Sequence, residues 1–476
     1  TTGDVNTALG YQAGKALTSG ASNVFVGGHA GDAITSGGRN IAMGYAALST
    51  EDAHGRNTAI GHQALTTQNA GADAYNVAVG YDAGILVTTG IKNTLLGGLA
   101  GDSLTTGSTN VAIGYDALST EDTGTASVAI GAFALKLQNY NGNAYNVAIG
   151  HDAGKAVTTG VQNTVLGARA LQANTVGTDN VAIGYQALFT NVDGSRSIAI
   201  GTNALLAQEP ASAVDTYNVA VGYNAGLSVT TGDRNTIVGG LAGDALTSGS
   251  YNIAIGYAAL STEDAHGANV AIGANALLTL NAGADGFNVA IGHDAGKLMT
   301  TGIRNTIIGG LAGDVLTTGS YNVAIGHAAL STEDAYGKNT AVGYGALATL
   351  NAAEDGFNVA VGFDAGIQMT TGLKNTIIGG LAGDALTTGA DNVAIGKSAL
   401  STEDTGSTSV AIGSFALTAQ NYNGNSQNVA VGYAAGMGVT TGVNNTLVGG
   451  LAGDALTEGS DNVALGHQAL STEDAH

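Results

Sequence analysis

The chain has 476 residues, of which 76 are Gly, with one Pro, no Cys, no Trp and only 5% aromatic residues. A collagen helix would need Gly at every third position with abundant Pro, and a disordered chain would lack the 44% apolar content, so neither class fits. The 36 acidic against 14 basic residues give a net charge of −22, which argues against nucleic acid or an anionic membrane as partner, since both attract basic surfaces.

The opening residues, TTGDVNTALG, lack the basic and apolar segments of a signal peptide, and no apolar run reaches the roughly 18 residues of a spanning helix. From Asn6 onward the chain is a repeat of the form N-[VTI]-x-[IVLM]-G-x-x-A, with 27 copies beginning at Asn6, Asn23, Asn40, Asn57, Asn76, Asn93, Asn110, Ser127 and so on to Asn462. The spacing runs 17, 17, 17, 19, so four copies make a block of 70 residues, and the blocks begin near 6, 76, 146, 218, 288, 358 and 428. The block from 146 is 72 residues long, because its loop LLAQEPASAVDTY carries two extra residues and the only proline, Pro210. The array reads as continuous over 1–476, and its ends suggest a piece of a longer fibre protein.

Within each copy the alternation Asn-Val-Ala-Ile-Gly has a period of two, which predicts a short strand rather than a helix. Gly80, Gly97 and Gly114 end the strand where a turn is needed, and Ala83, Ala100 and Ala117 follow three residues later. A second strand is expected over Ile85 to Thr89, with a turn at Gly90 leading onward. Each copy is then one coil of an all-β parallel β-solenoid, whose coils stack at about 4.7–4.9 Å; 27 of them would give a rod on the order of 130 Å. Asn76, Asn93, Asn110 and their equivalents would form an amide ladder at a turn. The three exceptions, Ser127, Ser197 and Ser409, all fall in the fourth coil of a block.

If Val77, Val111, Ile113, Val128 and Ile130 face the interior, Ala112 faces outward, and in the second coil of a block that outward place holds Ile237, Ile307 and Ile377. An outward face of Ala, Gly and Ile would be covered by another chain, making these Ile residues an oligomer interface. The opposite assignment, with the Ala column lining a flat core within one chain, is the alternative.

The strings NVAIGYDAL at Asn110 and NVAIGANAL at Asn269 resemble the coils of YadA-like heads in trimeric autotransporter adhesins, and are similar to repeats of phage tail fibres and large bacterial surface proteins. The resemblance covers essentially the whole chain, although coils of 17 and 19 residues are longer than is usual in those heads. It implies a left-handed β-roll, a homotrimer, an extracellular place on a cell surface or virion fibre, and attachment to a host-cell surface or matrix receptor. A phage tail-fibre shaft with its binding tip elsewhere is the alternative origin.

Chemistry-bearing residues are sparse. His62, His151, His293, His327 and His467 follow the invariant Gly where other coils place Tyr81, Tyr115 or Phe363, so they read as turn packing rather than metal ligands. The string STED at Ser119 returns at Ser261, Ser331, Ser401 and Ser471, and Asp102, Asp244, Asp314, Asp384 and Asp454 follow GGLAG or a close variant. A calcium ion between Glu121, Asp122 and neighbouring loops is the one metal site considered, against solvated edge charge, and no cofactor is expected. Nearly every carboxylate has a copy one block away, unlike the unique cluster an enzyme needs. Ice binding would need Thr in every coil, and the third coils place Glu-Asp there. The expected contact residues lie in the long loops of the fourth coils: Asn139, Tyr140, Asn141, Pro210, Asn421 and Tyr422.

Overall fold

The computed structural model describes residues 3–472, so the last four residues of the terminal STEDAH string lie outside the described residues. Two compact units are present, Thr1–Asn235 and Thr236–His476. The first carries strands β1 (Thr7–Leu9) to β13 (Val219–Val221), and the second carries β14 (Thr236–Val238) to β27 (Val463–Leu465). Each strand has three residues, one strand per motif, and consecutive strands within a unit pair in parallel and in register, as Val111 with Val128, Ala112 with Ala129 and Ile113 with Ile130. Each unit is a parallel β-solenoid, and a strand this short persists because both of its edges are hydrogen-bonded to neighbouring coils.

The strand ends where the sequence demands. Gly80 has φ 148°, and a Cβ there would lie 2.3 Å from the carbonyl oxygen of Gly97 in the next coil, so neither its conformation nor its close approach admits a side chain. The segment beyond differs from expectation. Residues 85–89 form no strand: Asp82 and Gly84 take left-handed φ angles of 53° and 58°, which keep the chain coiled. The backbone then alternates between a local bond, Val87 N to Gly84 O at 3.0 Å, and bonds to the next coil, Leu86 N to Asp102 O at 3.2 Å and Thr88 N to Thr105 O at 2.9 Å.

The faces of the strand are also the reverse of the first assignment. Ala112 is fully buried, while Val77, Val111, Ile113, Val128 and Ile130 are half-buried on the outer face. Ile237, Ile307 and Ile377 are likewise fully buried inside their own chain, so they are core and not an oligomer interface. The reason is volume. In second coils a large central residue fits because glycines flank it: a Cβ on Gly84 would lie 2.6 Å from Leu95 Cδ1, and one on Gly101 would lie 2.9 Å from Leu95 Cδ2. Third and fourth coils hold Leu118 and Leu135 at those glycine positions, and there the central residue shrinks to Ala112 and Ala129. Large and small side chains thus complement each other between adjoining positions, as close packing requires.

Apart from Asn6 and Asn462 in the first and last coils, the leading Asn residues are buried, and they form a ladder of side chain to backbone. Asn93 N donates to Asn76 Oδ1 at 2.8 Å and Asn110 N to Asn93 Oδ1 at 2.9 Å. At most of these positions the side-chain amide meanwhile donates to a turn carbonyl, as Asn93 Nδ2 to Gly107 O at 2.9 Å and Asn110 Nδ2 to Gly124 O at 2.9 Å. One side chain thereby satisfies two backbone groups that a three-residue strand leaves unpaired.

Candidate binding surface

Three edges carry the side chains with chemical potential: the acidic turns of the third coils, the long loops of the fourth coils, and the corner residue immediately before each leading Asn or Ser.

The acidic turns are built around a buried carboxylate. Glu121 is fully buried; its Oε1 accepts from Gly124 N at 2.7 Å and Asp122 N at 3.1 Å, and its Oε2 from Gln138 Nε2 at 2.9 Å and Tyr140 N at 3.3 Å. Asp122 instead accepts from Thr105 of the preceding coil. The proposed calcium pair therefore serves opposite neighbours, and Glu121 is spent on holding its own turn and the loop that follows. Glu403 repeats the arrangement with Gly406, Gln420 and Tyr422. Where His replaces Gly124, Glu51, Asp52 and His54, and again Glu263, Asp264 and His266, bring three potential ligand atoms within 4.8 Å of one another. Glu263 is nonetheless committed to the backbone, accepting from His266 N and from Ala282 N, each at 3.1 Å.

Burial pushes Glu51, Glu263 and Glu333 above the usual carboxylate range. It also raises Asp102 to about 6, against the backbone amides of Asp102 and Ser103 and with help from the neighbouring charges of Asp116 and Asp82. Asp244, Asp314 and Asp384 are raised for the same first reason, and each of these four aspartates has a buried Oδ1 with no hydrogen-bond partner.

The long loops are less free than their sequence suggests. In the loop from Asn139, Asn139 and Asn141 are exposed, but Tyr140 folds back over Gly142, whose N donates to Tyr140 O at 2.9 Å. Thr125 N to Gly142 O at 2.9 Å and Ala144 N to Thr125 O at 3.1 Å stitch the loop to the coil before it. The loop from Asn421 is the same in kind: Asn421 is exposed, Tyr422 half-buried, and Gly424 N donates to Tyr422 O at 3.0 Å. Pro210 departs from expectation. It is buried, close enough to Gly194 that a Cβ there would lie 3.1 Å from Pro210 Cγ, so it packs its loop down and is not a contact residue.

Sequence reading missed the corner column. These corner residues, 27 of 476 positions, hold eight of the 14 basic residues: Arg39, Arg56, Lys92, Arg196, Arg234, Arg304, Lys338 and Lys374. Such enrichment is visible only when the coils are aligned on the residue before the motif rather than on the motif. Four of these cations lie over the aromatic ring at the next corner, as Arg56 over Tyr75 at 5.1 Å and Arg196 over Tyr217 at 5.8 Å. Two surface clefts, of about 340 and 670 Å³, adjoin this edge in the first unit, one beside Arg39 and Arg56 and the other beside Tyr217 and Arg234. No model of a known protein family matches the chain, and no curated protein is similar to it.

Proposed function

We propose that the chain is a non-enzymatic structural and adhesive segment of an extracellular fibre, which spaces and displays attachment surfaces toward a host-cell or matrix receptor. The observation that carries this reading is the return of one loop geometry at separate blocks: Asn139, Tyr140 and Asn141 are held as Asn421, Tyr422 and Asn423 are, each loop pinned by the buried carboxylate of the coil before it. Repetition of a surface without a unique polar cluster suits multivalent display better than catalysis. A left-handed roll assembled as a homotrimer is the architecture that goes with this function. Its support is the outer strand face, where half-exposed Val and Ile columns such as Val323 and Ile325 run from coil to coil, an apolar band of the kind that associates.

Light scattering on the Val323→Lys/Ile325→Lys variant tests the assembly. We expect a fall from trimer to monomer mass with thermal unfolding largely preserved, and unchanged mass would remove the outer sheet face as the interface. Deleting residues 288–357, one whole block, tests the display. The chain should still fold, since each coil contacts only its neighbours, and cell attachment should drop only in proportion to the loops removed. Loss of all attachment in one step would point to a unique site instead.

A further inference from the structure

The second unit contains a run of six successive corners in which aromatic and basic side chains alternate coil by coil: Phe287, Arg304, Tyr321, Lys338, Phe357 and Lys374. All six are exposed, and the run is bounded by Ala268 on one side and Asp391 on the other. We propose that this run is a binding site for an acidic polysaccharide that carries its anionic group on alternate sugars.

Neither local backbone preference nor packing accounts for these residues. Every one of them has a left-handed φ, from 48° at Phe287 to 62° at Tyr321 and Lys338, where Gly, Asn or Asp would be favoured. Phe287, Tyr321 and Phe357 are each about half exposed, at 54%, 49% and 52%, so they are not core. The corners are also rigid. Arg304 N donates to Gly286 O at 2.7 Å, Tyr321 N to Ile303 O at 3.1 Å, Lys338 N to Ser320 O at 3.1 Å and Lys374 N to Gly356 O at 2.8 Å, so the side chains project from a fixed ladder.

The side chains are arranged as a charged and aromatic strip. Arg304 lies over the Tyr321 ring at 5.5 Å and donates from Nη1 to its hydroxyl at 2.6 Å, and Lys338 lies over the Phe357 ring at 5.0 Å. Among the described residues neither Arg304 nor Lys374 has a carboxylate within ion-pair distance. Lys338 pairs with Asp355 at 2.6 Å, but both partners are about 40% exposed, and an exposed pair of this kind is readily exchanged for a ligand anion.

The alternation selects the ligand. Coils rise by about 4.7–4.9 Å, so successive cations stand two coils, roughly 9–10 Å, apart, with an aromatic ring between them. A linear glycan offers apolar C–H faces to aromatic rings, and a carboxylate or sulfate on every second sugar meets a cation at every second coil. A nucleic acid strand carries a phosphate on every unit and would face the remaining negative charge of a chain at −22 with few cations to neutralise it. Phe287 and Phe357 close the fourth-coil loops, but the column continues through the coils between them, and the inference does not rest on the chain being a fibre.

The test is calorimetric titration of the full chain at low salt with oligosaccharides of alternating glucuronate and N-acetylhexosamine, against neutral oligosaccharides of equal length and against oligo(dT). We expect saturable binding of the acidic glycan that weakens as salt rises. The variants Arg304→Asn/Lys374→Asn and Phe287→Asn/Phe357→Asn should each lose at least tenfold, with melting unchanged because Asn tolerates the left-handed corner. Lys297→Asn/Lys397→Asn, which removes the same charge from elsewhere in the unit, should stay within twofold. Absence of saturable binding, equal binding of the neutral glycan, or an equal loss in the Lys297/Lys397 control would overturn the proposal. Tighter binding of oligo(dT) would overturn it in favour of a nucleic-acid surface.

Discussion

Glu121 and Glu263 occupy the same place in their coils, both fully buried, yet they are satisfied differently. Glu121 has a side-chain donor in Gln138, which also donates to Ser127 Oγ at 2.8 Å. At Glu263 the corresponding positions are Leu280 and Asn269, and the carboxylate's hydrogen bonds come from backbone amides, with the His266 imidazole 3.6 Å away. The substitutions travel together: Gln208 with Ser197 and Gln420 with Ser409, against Leu350 with Asn339. Ser leaves room for the longer Gln to enter, whereas Asn fills that space itself. The first block mixes the two sets, Gln68 with Asn57, and there Glu51 Oε2, Asn57 Nδ2 and Gln68 Nε2 are all buried without a partner. The exceptions to the Asn column are therefore paired choices that bring a Gln donor to one buried acceptor, the carboxylate of Glu121 or Glu403 or the amide oxygen of Asn191.

Breaking the pair should have the largest effect. Gln138→Leu leaves Ser127 and Glu121 Oε2 without their shared donor, and should destabilise the turn by about 2–3 kcal/mol, the cost of losing a buried hydrogen bond to a charge. Amide exchange at Gly124 and Tyr140 should accelerate accordingly. Adding Ser127→Asn recreates the arrangement at Glu263 and should recover about 1 kcal/mol; a purely additive double variant would show that the two positions are not coupled.

Repairing the mixed block should have a smaller effect of opposite sign. Asn57→Ser allows Gln68 to reach Glu51 as Gln138 reaches Glu121, and should raise local stability by about 0.5–1 kcal/mol in exchange measurements. No gain would mean that the unpaired groups are already satisfied by solvent.

The smallest effect is in pH. Folded-state values above the unfolded ones, raised for Glu51, Glu263 and Glu333 and raised to about 6 for Asp102 alone, contribute stability that is present below pH 4 and is lost as the pH rises through the folded value. Acidification from pH 7 to pH 5 should therefore stabilise the chain. Asp102 is only partly buried, which discounts its shift, so a rise in melting temperature of about 1–2 °C is expected, as about 0.5 kcal/mol would produce. Asp102→Asn should flatten the profile, and a melting temperature that falls on mild acidification would reverse this reading.

Much of the fold was legible because a repeat multiplies its own signal. Gly80 recurs with Gly97 and Gly114 at the same offset, and only a strand end with a close neighbour explains a Gly never replaced in 27 copies. The site was less legible. Glu121 read as edge charge because nothing in STED shows that its first carboxylate turns inward while Asp122 stays with the preceding coil. Pro210 read as an exposed loop tip, and its burial against the preceding coil depends on a contact with Gly194. The corner column was hidden because its residues share a position but no identity.

By itself the sequence determined the period, the strand at each motif, its parallel register and the glycine turns, since each follows from local backbone geometry repeated along the chain; the second strand expected at Ile85 to Thr89 is a coiled turn instead. The tertiary structure alone decided which face of each strand is inside. A two-residue alternation is symmetric between faces, so Ala112 inward and Val111 inward are equally good patterns until volume is counted. That count is made across coils: Leu95 fits only because Gly84 and Gly101 leave space, and Ile307 only because a Cβ on Gly296 or Gly313 would already stand 3.2 or 3.3 Å from its Cδ1. Packing is a property of neighbours in space, and it turned a supposed contact surface into the core.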